Sequence, residues 1–186
     1  MRVTVLFFHP FPRRSIVNRA LSRAATEVPG VVFRDLYELY PDFSIDVAAE
    51  QEALLHTDVV VFQHPFYWYS CPALMKEWLD AVLEIGWAYG EGGDKLQGKQ
   101  WIQAITSGGP QEAYARTGHN EFTVPELLRP YERTARLCGM KPLEPFLVQG
   151  THRLTQDQIG VSATRYRALL EGLRDGNCPP VYTTAG

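Results

Sequence analysis

The run Asp58-Val-Val-Val-Phe-Gln-His-Pro-Phe-Tyr-Trp-Tyr-Ser-Cys-Pro72 constrains the fold more than any other part of the chain. Val59 to Phe62 is short, β-branched and without a polar break, the pattern of a strand buried on both faces. His64-Pro65 is expected to stop it, because proline lacks a ladder donor and restricts the residue before it. Phe66, Tyr67, Trp68 and Tyr69 follow as consecutive aromatics. Ser70 and Pro72 then have the chemistry of a helix start, a hydroxyl cap followed by a first-turn proline. Behind them Leu74, Met75, Trp78, Leu79, Val82 and Leu83 form one apolar stripe at helical spacing. In a doubly wound α/β sheet, loops at the carboxyl ends of strands are where ligands bind. Aromatics in such a loop suit a flat, π-rich ligand, and they equally suit a hydrophobic plug or a subunit contact.

The same unit recurs along the chain. Val3 to Phe8 reads as a strand broken by His9-Pro-Phe-Pro12; Ser15 then looks like an N-cap for a helix carrying Val17, Ala20, Leu21, Ala24, Ala25 and Val28. That helix start, with Arg13, Arg14 and Arg19 nearby, favours an anion such as a phosphate, or is simply a capped helix among solvated arginines. Val31 to Leu36 is a further strand and Tyr37 to Ile45 a turn-rich connection. Val47 to Leu55 is a helix capped by Asp46, with Glu50 and Glu52 in solvent. Gly86 to Lys99 reads as an ordered loop or small hairpin. Gln100 to Thr106 is a strand ending in Thr106-Ser-Gly-Gly109, small residues that admit close backbone contact with a ligand, or a plain turn. Thr123-Val-Pro-Glu126 and Thr155-Gln-Asp-Gln158 are capping boxes; Pro130 should kink or restart the helix between them. Leu143 to Val148 is the last strand, shortened by Pro142 and Pro145.

Strands alternating with helices predict an α/β three-layer sandwich: a five-stranded parallel sheet in the flavodoxin order 2-1-3-4-5, with helices on both faces. The 186 residues, 45% hydrophobic, fit one domain over 1–176 with a loosely ordered tail at 177–186. A net charge of −3 and 21% charged residues give no pull toward nucleic acid and no sign of disorder. No apolar run spans a bilayer, and the start of the chain lacks the features of a signal peptide. Cys71, Cys138 and Cys178 form no disulfide framework, so a cytoplasmic protein is expected. No metal site is expected from His9, His64 and Cys71, and Cys71 reads as a buried thiol more readily than a redox group. His64 reads as a strand-end packing residue; His56 and His152 read as solvated.

In the 2-1-3-4-5 order the loops after strands one, three and four are neighbours. One suits a phosphate, one an aromatic ring, one close backbone contact; together they describe a mononucleotide with a flat ring system, flavin above adenine.

With His9-Pro-x-Pro, Ser15-x-x-Asn18, Leu39-Tyr40-Pro-Asp-Phe43, Gln63-His-Pro-x-x-Trp-Tyr69, Gly86-Trp-Ala-Tyr-Gly90 and Thr106-Ser-Gly-Gly109, the chain resembles the flavodoxin-like NAD(P)H:quinone reductases. Within them it most resembles the ancillary proteins of glutathione-regulated potassium-efflux systems. The resemblance runs over nearly the whole chain and implies a homodimer that binds FMN, or FAD as in the DT-diaphorase branch, with NAD(P)H as co-substrate. It implies that His9 with Ser15, Ile16, Val17 and Asn18 hold the flavin phosphate and ribityl chain. Pro65, Phe66, Tyr67, Trp68 and Tyr69 would edge the isoalloxazine, and Thr106, Ser107, Gly108 and Gly109 its pyrimidine side. Tyr114 matches in spacing a substrate-facing tyrosine of DT-diaphorase; His119 stands one residue short of that enzyme's histidine. Trp68, Trp87 and Tyr89 are candidates for the pocket walls.

The implied activity is two-electron hydride transfer from NAD(P)H to a quinone by a ping-pong route. A rival reading is a regulatory subunit docked on a membrane potassium antiporter, peripheral at the inner face of the cell membrane. A third, an electron-transfer flavodoxin, is opposed by the arginines and the lack of acidic surface loops.

Overall fold

In the computed structural model, which describes residues 1–182, the apolar runs become the centre of a parallel sheet. β1 (Val3–Phe7) and β3 (Val59–Pro65) are buried along their whole length, which only a sheet covered on both faces allows. β1 pairs in parallel with β2 (Val31–Asp35) and with β3, and β3 with β4 (Gln100–Thr106), Val5 lying opposite Phe33 and Val61, and Val61 opposite Ile102. Beyond β4 the last strand is split. β5 (Lys141–Pro142) and β6 (Phe146–Val148) both pair with β4, giving the order β2-β1-β3-β4-β5 with β6 beside β4. The expected flavodoxin topology is therefore present, with its fifth strand interrupted around Pro145.

Alternation along the strands sends successive side chains to opposite faces, and two cores result. On one, Val3, Val5, Val59, Val61, Ile102 and Ala104 pack under α1 (Ile16–Thr26) and α7 (Gln156–Arg174). On the other, Leu6, Phe8, Val60, Phe62 and Trp101 pack against Leu54 of α3 (Val47–Leu55), the Leu74–Val82 stripe of α4 (Ala73–Val82) and Tyr131 and Ala135 of a later helix, α6 (Arg129–Leu137). Phe62 stacks on Trp101 at 3.9 Å between ring centroids. Each fully buried large side chain here is worth about 1.5–3 kcal/mol of transfer free energy.

Several local expectations are corrected. β3 does not stop before His64-Pro65 but takes both residues in and ends at Pro65. β1 stops at Phe7, opposite Gln63, so His64 and Pro65 pair only with Ile105 and Thr106 of β4, and the missing proline N–H faces no ladder partner. Ser70 does not cap α4: its N-cap is Pro72, with no side-chain cap bond, while Ser70 Oγ lies 2.7 Å from Tyr131 Oη. The 37–45 connection opens with a short helix, α2 (Leu36–Leu39), capped by Asp35. Pro130 separates α5 (Val124–Leu127) from α6, and both expected capping boxes form.

Glu50, read as solvated, is fully buried. Its carboxylate receives Tyr40 Oη at 2.7 Å, Trp78 Nε1 at 2.9 Å and the Arg34 guanidinium. Three donors, one of them a cation, are what a buried carboxylate requires. Residues 177–182 run back beside the last strand, with Val181 bridging Leu143 and Tyr182 N–H donating to the Pro142 carbonyl; the rest of the expected tail lies outside the described residues. Among the described residues, no helix is long and apolar enough to cross a membrane.

Candidate functional site

The carboxyl ends of β1, β3 and β4 meet, and two clefts open over them. The larger, about 490 Å³, is lined by His9, by Ser15, Ile16, Val17 and Asn18 at the start of α1, by Pro65, Phe66 and Tyr67, and by Thr106 and Gly108. The second, about 430 Å³, is lined by Phe66, Trp68, Tyr69, Gly109, Tyr114 and His119, with Asn120. Phe66 belongs to both, so the two clefts share one wall. Of the residues expected to touch the flavin, and of Tyr114 and His119, only Ser107 lines neither; it is buried, and its Oγ donates to the Gly109 carbonyl at 2.9 Å.

The first cleft is built around the start of α1. Ser15 is its N-cap, its hydroxyl accepting from Asn18 N–H at 3.2 Å. The amides of Ile16 and Val17, in the first helical turn, have no intrahelical acceptor and carry the positive end of the helix dipole. Asn18 is buried: its Nδ2 donates to Thr106 Oγ1 at 2.8 Å, tying β4 to α1, while its Oδ1 has no partner. His9 Nδ1 accepts from Phe11 N–H at 3.0 Å, which leaves the proton on Nε2. Burial lowers the His9 pKa to about 4, so at neutral pH it is a neutral donor. Donor amides and a ring N–H fit a phosphate ester, and an orphaned buried acceptor fits a hydroxyl of a polyhydroxyl chain. Arg14 lines this cleft and lies over the Phe11 ring, whereas Arg13 and Arg19 are exposed and line neither cleft.

The aromatic loop is a tight turn. Ser70 N–H donates to the Tyr67 carbonyl at 2.9 Å, and the residues between, Trp68 (φ 50°) and Tyr69 (φ 61°), are both left-handed. Such a turn normally takes Asn and Gly, and two bulky residues there cost on the order of 1–3 kcal/mol each. The turn leaves Trp68 92% exposed, an indole held out over the second cleft. Opposite it, Tyr114 packs on Phe66 with ring centroids 5.8 Å apart, and burial raises the pKa of its phenol, keeping it a proton donor at neutral pH. The two glycines serve side chains as well as ligand. A Cβ on Gly108 would lie 2.7 Å from His152 Nε2, and one on Gly109 2.9 Å from Tyr114 Cε2.

His152, read as solvated, is exposed but lines the first cleft with Thr151, Leu154 and Gln156. This fourth loop, after β6, went unrecognised because it carries no Gly-rich or aromatic signal; its place follows from α7 packing beside α1. Trp87 and Tyr89, expected as walls, line neither cleft and pack against the core beneath α4. His64 is buried, its Nδ1 2.9 Å from the Pro65 carbonyl oxygen, and burial lowers its pKa to about 4 despite that contact. Burial likewise raises the Cys71 thiol pKa.

A parallel sheet in this order, with its cleft over the tips of β1, β3 and β4, defines a flavodoxin-like protein. The chain belongs to that family: the model for the flavodoxin-like fold matches residues 1–170. It is 46% identical over 165 residues to the glutathione-regulated potassium-efflux system ancillary protein KefG of Pectobacterium carotovorum, covering 89% of this chain and 90% of that protein. It is 42% identical over 178 residues to KefG of Escherichia coli O1:K1, covering 95% and 97%. Among solved structures it resembles general stress protein 14 of Treponema denticola in complex with FMN, with a TM-score of 0.89, 36% identity and 93% and 99% of the two chains covered. An NADPH-quinone reductase from P. pentosaceus superposes with a TM-score of 0.82 at 28% identity, covering 90% and 96%.

Proposed function

We propose that this chain is an FMN-binding NAD(P)H:quinone oxidoreductase. The observation that carries the reading is the pair of clefts sharing Phe66, one lined by phosphate-type donors and the other by aromatic rings and two proton-bearing side chains. The FMN complex of general stress protein 14 and the NADPH-quinone reductase likeness support it. His9 Nε2–H and the Ile16 and Val17 amides hold the phosphate, and Asn18 Oδ1 takes a ribityl hydroxyl. Phe66, Tyr67 and Trp68 bound the ring, and the Thr106–Gly109 segment meets its pyrimidine edge. When bound, the flavin supplies the redox chemistry, taking a hydride from NAD(P)H and giving it to a quinone. Tyr114 Oη–H and the His119 ring donate hydrogen bonds to a quinone oxygen as charge builds there. Trp68 covers the mouth and excludes water.

Both substrates use the second cleft in turn, so the kinetics are ping-pong; the protein works as a homodimer. The test is anaerobic: without a quinone, flavin-loaded protein oxidises one equivalent of NAD(P)H per flavin and stops with the flavin reduced; with a quinone it turns over, with parallel double-reciprocal lines. Flavin-loaded protein that leaves NAD(P)H untouched contradicts the reading.

The KefG likeness supports a second role, as an ancillary subunit of a potassium-efflux antiporter, peripheral at the inner face of the cell membrane. Its test is co-purification with an antiporter in detergent; no association contradicts that role and leaves the reductase reading standing.

A further inference from the structure

The segment bearing Tyr114 and His119 closes on itself. Asn120 N–H donates to the Ala113 carbonyl at 2.9 Å and Gly118 N–H to the Ala115 carbonyl at 2.8 Å, so residues 113–120 form one compact loop. Gly118 allows this, since a Cβ there would lie 2.2 Å from the Glu112 carbonyl oxygen. The loop meets the aromatic turn at two points. At the floor of the second cleft Tyr114 packs on Phe66. At the rim Tyr69 Oη donates to Asn120 Oδ1 at 3.1 Å. Asn120 therefore acts twice: its backbone closes the loop, and its side chain fastens the closed loop to a turn that holds Tyr69 left-handed. On the other side the same turn is held by Ser70 Oγ against Tyr131 Oη.

We infer that Asn120 is a positioning residue, a latch that fixes the width of the second cleft between the Trp68–Tyr69 turn and the Tyr114–His119 loop. The inference rests on the reductase reading above. Trp68 and Tyr69 line one side of this cleft and Tyr114 and His119 the other, so holding the two segments at a fixed spacing is expected to favour flat acceptors over acceptors with out-of-plane substituents. The substrate class it selects is thus the planar two-ring quinones and comparably flat aromatic acceptors. Flavin binding rests on the first cleft and on Phe66, Tyr67 and Trp68 at the ring, not on the Tyr69–Asn120 bond.

The experiment uses flavin-loaded full-length protein and compares Asn120→Leu, Tyr69→Phe, the double variant and Asn120→Asp, with a planar naphthoquinone and a bulky tetrasubstituted benzoquinone as acceptors. Losing one hydrogen bond of this kind is expected to raise the naphthoquinone KM about five- to tenfold in either single variant, with kcat less affected and the flavin dissociation constant unchanged. The double variant behaves like either single one, since both remove the same bond. Asn120→Asp, which keeps an acceptor, recovers most of the lost affinity, and the preference for the planar acceptor narrows only in the variants that break the latch. Unchanged KM values, additive effects in the double variant, or loss of flavin along with substrate affinity overturn the latch. If the wild-type protein binds flavin and reduces neither acceptor, the reductase reading fails instead, which separates the two claims.

Discussion

His9 and His64 show how burial sets the protonation of one residue type for two purposes. Both are held neutral, with pKa values near 4, but His9 faces a cleft while His64 is enclosed. His64 binds a proton more readily when unfolded, where its pKa is about 6.5. Its neutral packing therefore contributes stability that is full above pH 6.5 and is lost as pH falls toward 4. Between pH 7.5 and 5 the wild-type protein should lose roughly 2 kcal/mol more unfolding free energy than His64→Gln, read from denaturant melts; parallel profiles would contradict this. At His9 the effect is on ligand: His9→Ala should weaken FMN binding by about ten- to a hundredfold, the worth of a hydrogen bond to a charged group, measured by calorimetry. His9, Ser15 and Asn18 were legible in the sequence because each sits where a strand breaks or a helix begins. Glu50 was not, because its partners Arg34, Tyr40 and Trp78 come from three other elements, and no local pattern joins them.

The Glu50 cluster joins β2, the end of α2, α3 and α4. Glu50→Ala leaves the partly buried Arg34 guanidinium without its carboxylate and the Tyr40 and Trp78 donors without an acceptor, and should cost about 3 kcal/mol of unfolding free energy, seen as a large drop in the urea midpoint. The aromatic turn carries the opposite prediction. Trp68 is left-handed and almost wholly exposed, so Trp68→Gly removes strain with little packing to lose. It should raise stability by about 1 kcal/mol while raising the quinone KM, a trade typical of functional sites; a destabilised variant would show that the turn is not strained. Periodicity and capping boxes placed α1, α3, α4 and α7 well, since those signals are local. The true ends of β3 and the role of Ser70 were not legible. Whether Pro65 breaks a strand depends on how far β1 extends beside it, and whether Ser70 caps α4 depends on Tyr131, far along the chain.

Across the whole molecule, the order of strands decides which loops meet. Three loops with complementary chemistry are legible in the sequence, and the parallel register of β1, β3 and β4 brings them together at the carboxyl end of the sheet. The fourth loop, with His152, was invisible because its contribution depends on α7 lying beside α1. Trp87 and Tyr89 were misplaced for a related reason: an aromatic pair in a Gly-rich loop reads alike whether it faces a ligand or the core. Ligand binding couples to global stability, so FMN at a hundred times its dissociation constant should add about 2.7 kcal/mol to unfolding, visible as a rise in Tm that riboflavin does not match. The central claim, that the α1 start anchors a flavin by its phosphate while the aromatic turn borders the ring, is tested most directly by titrating the apoprotein with FMN and with riboflavin in parallel. The account predicts FMN binding at least about a hundredfold tighter than riboflavin, from several charge-assisted hydrogen bonds to the phosphate, and much of that difference lost in Ser15→Ala together with His9→Ala. Equal affinities for the two, or no binding of either, would contradict it.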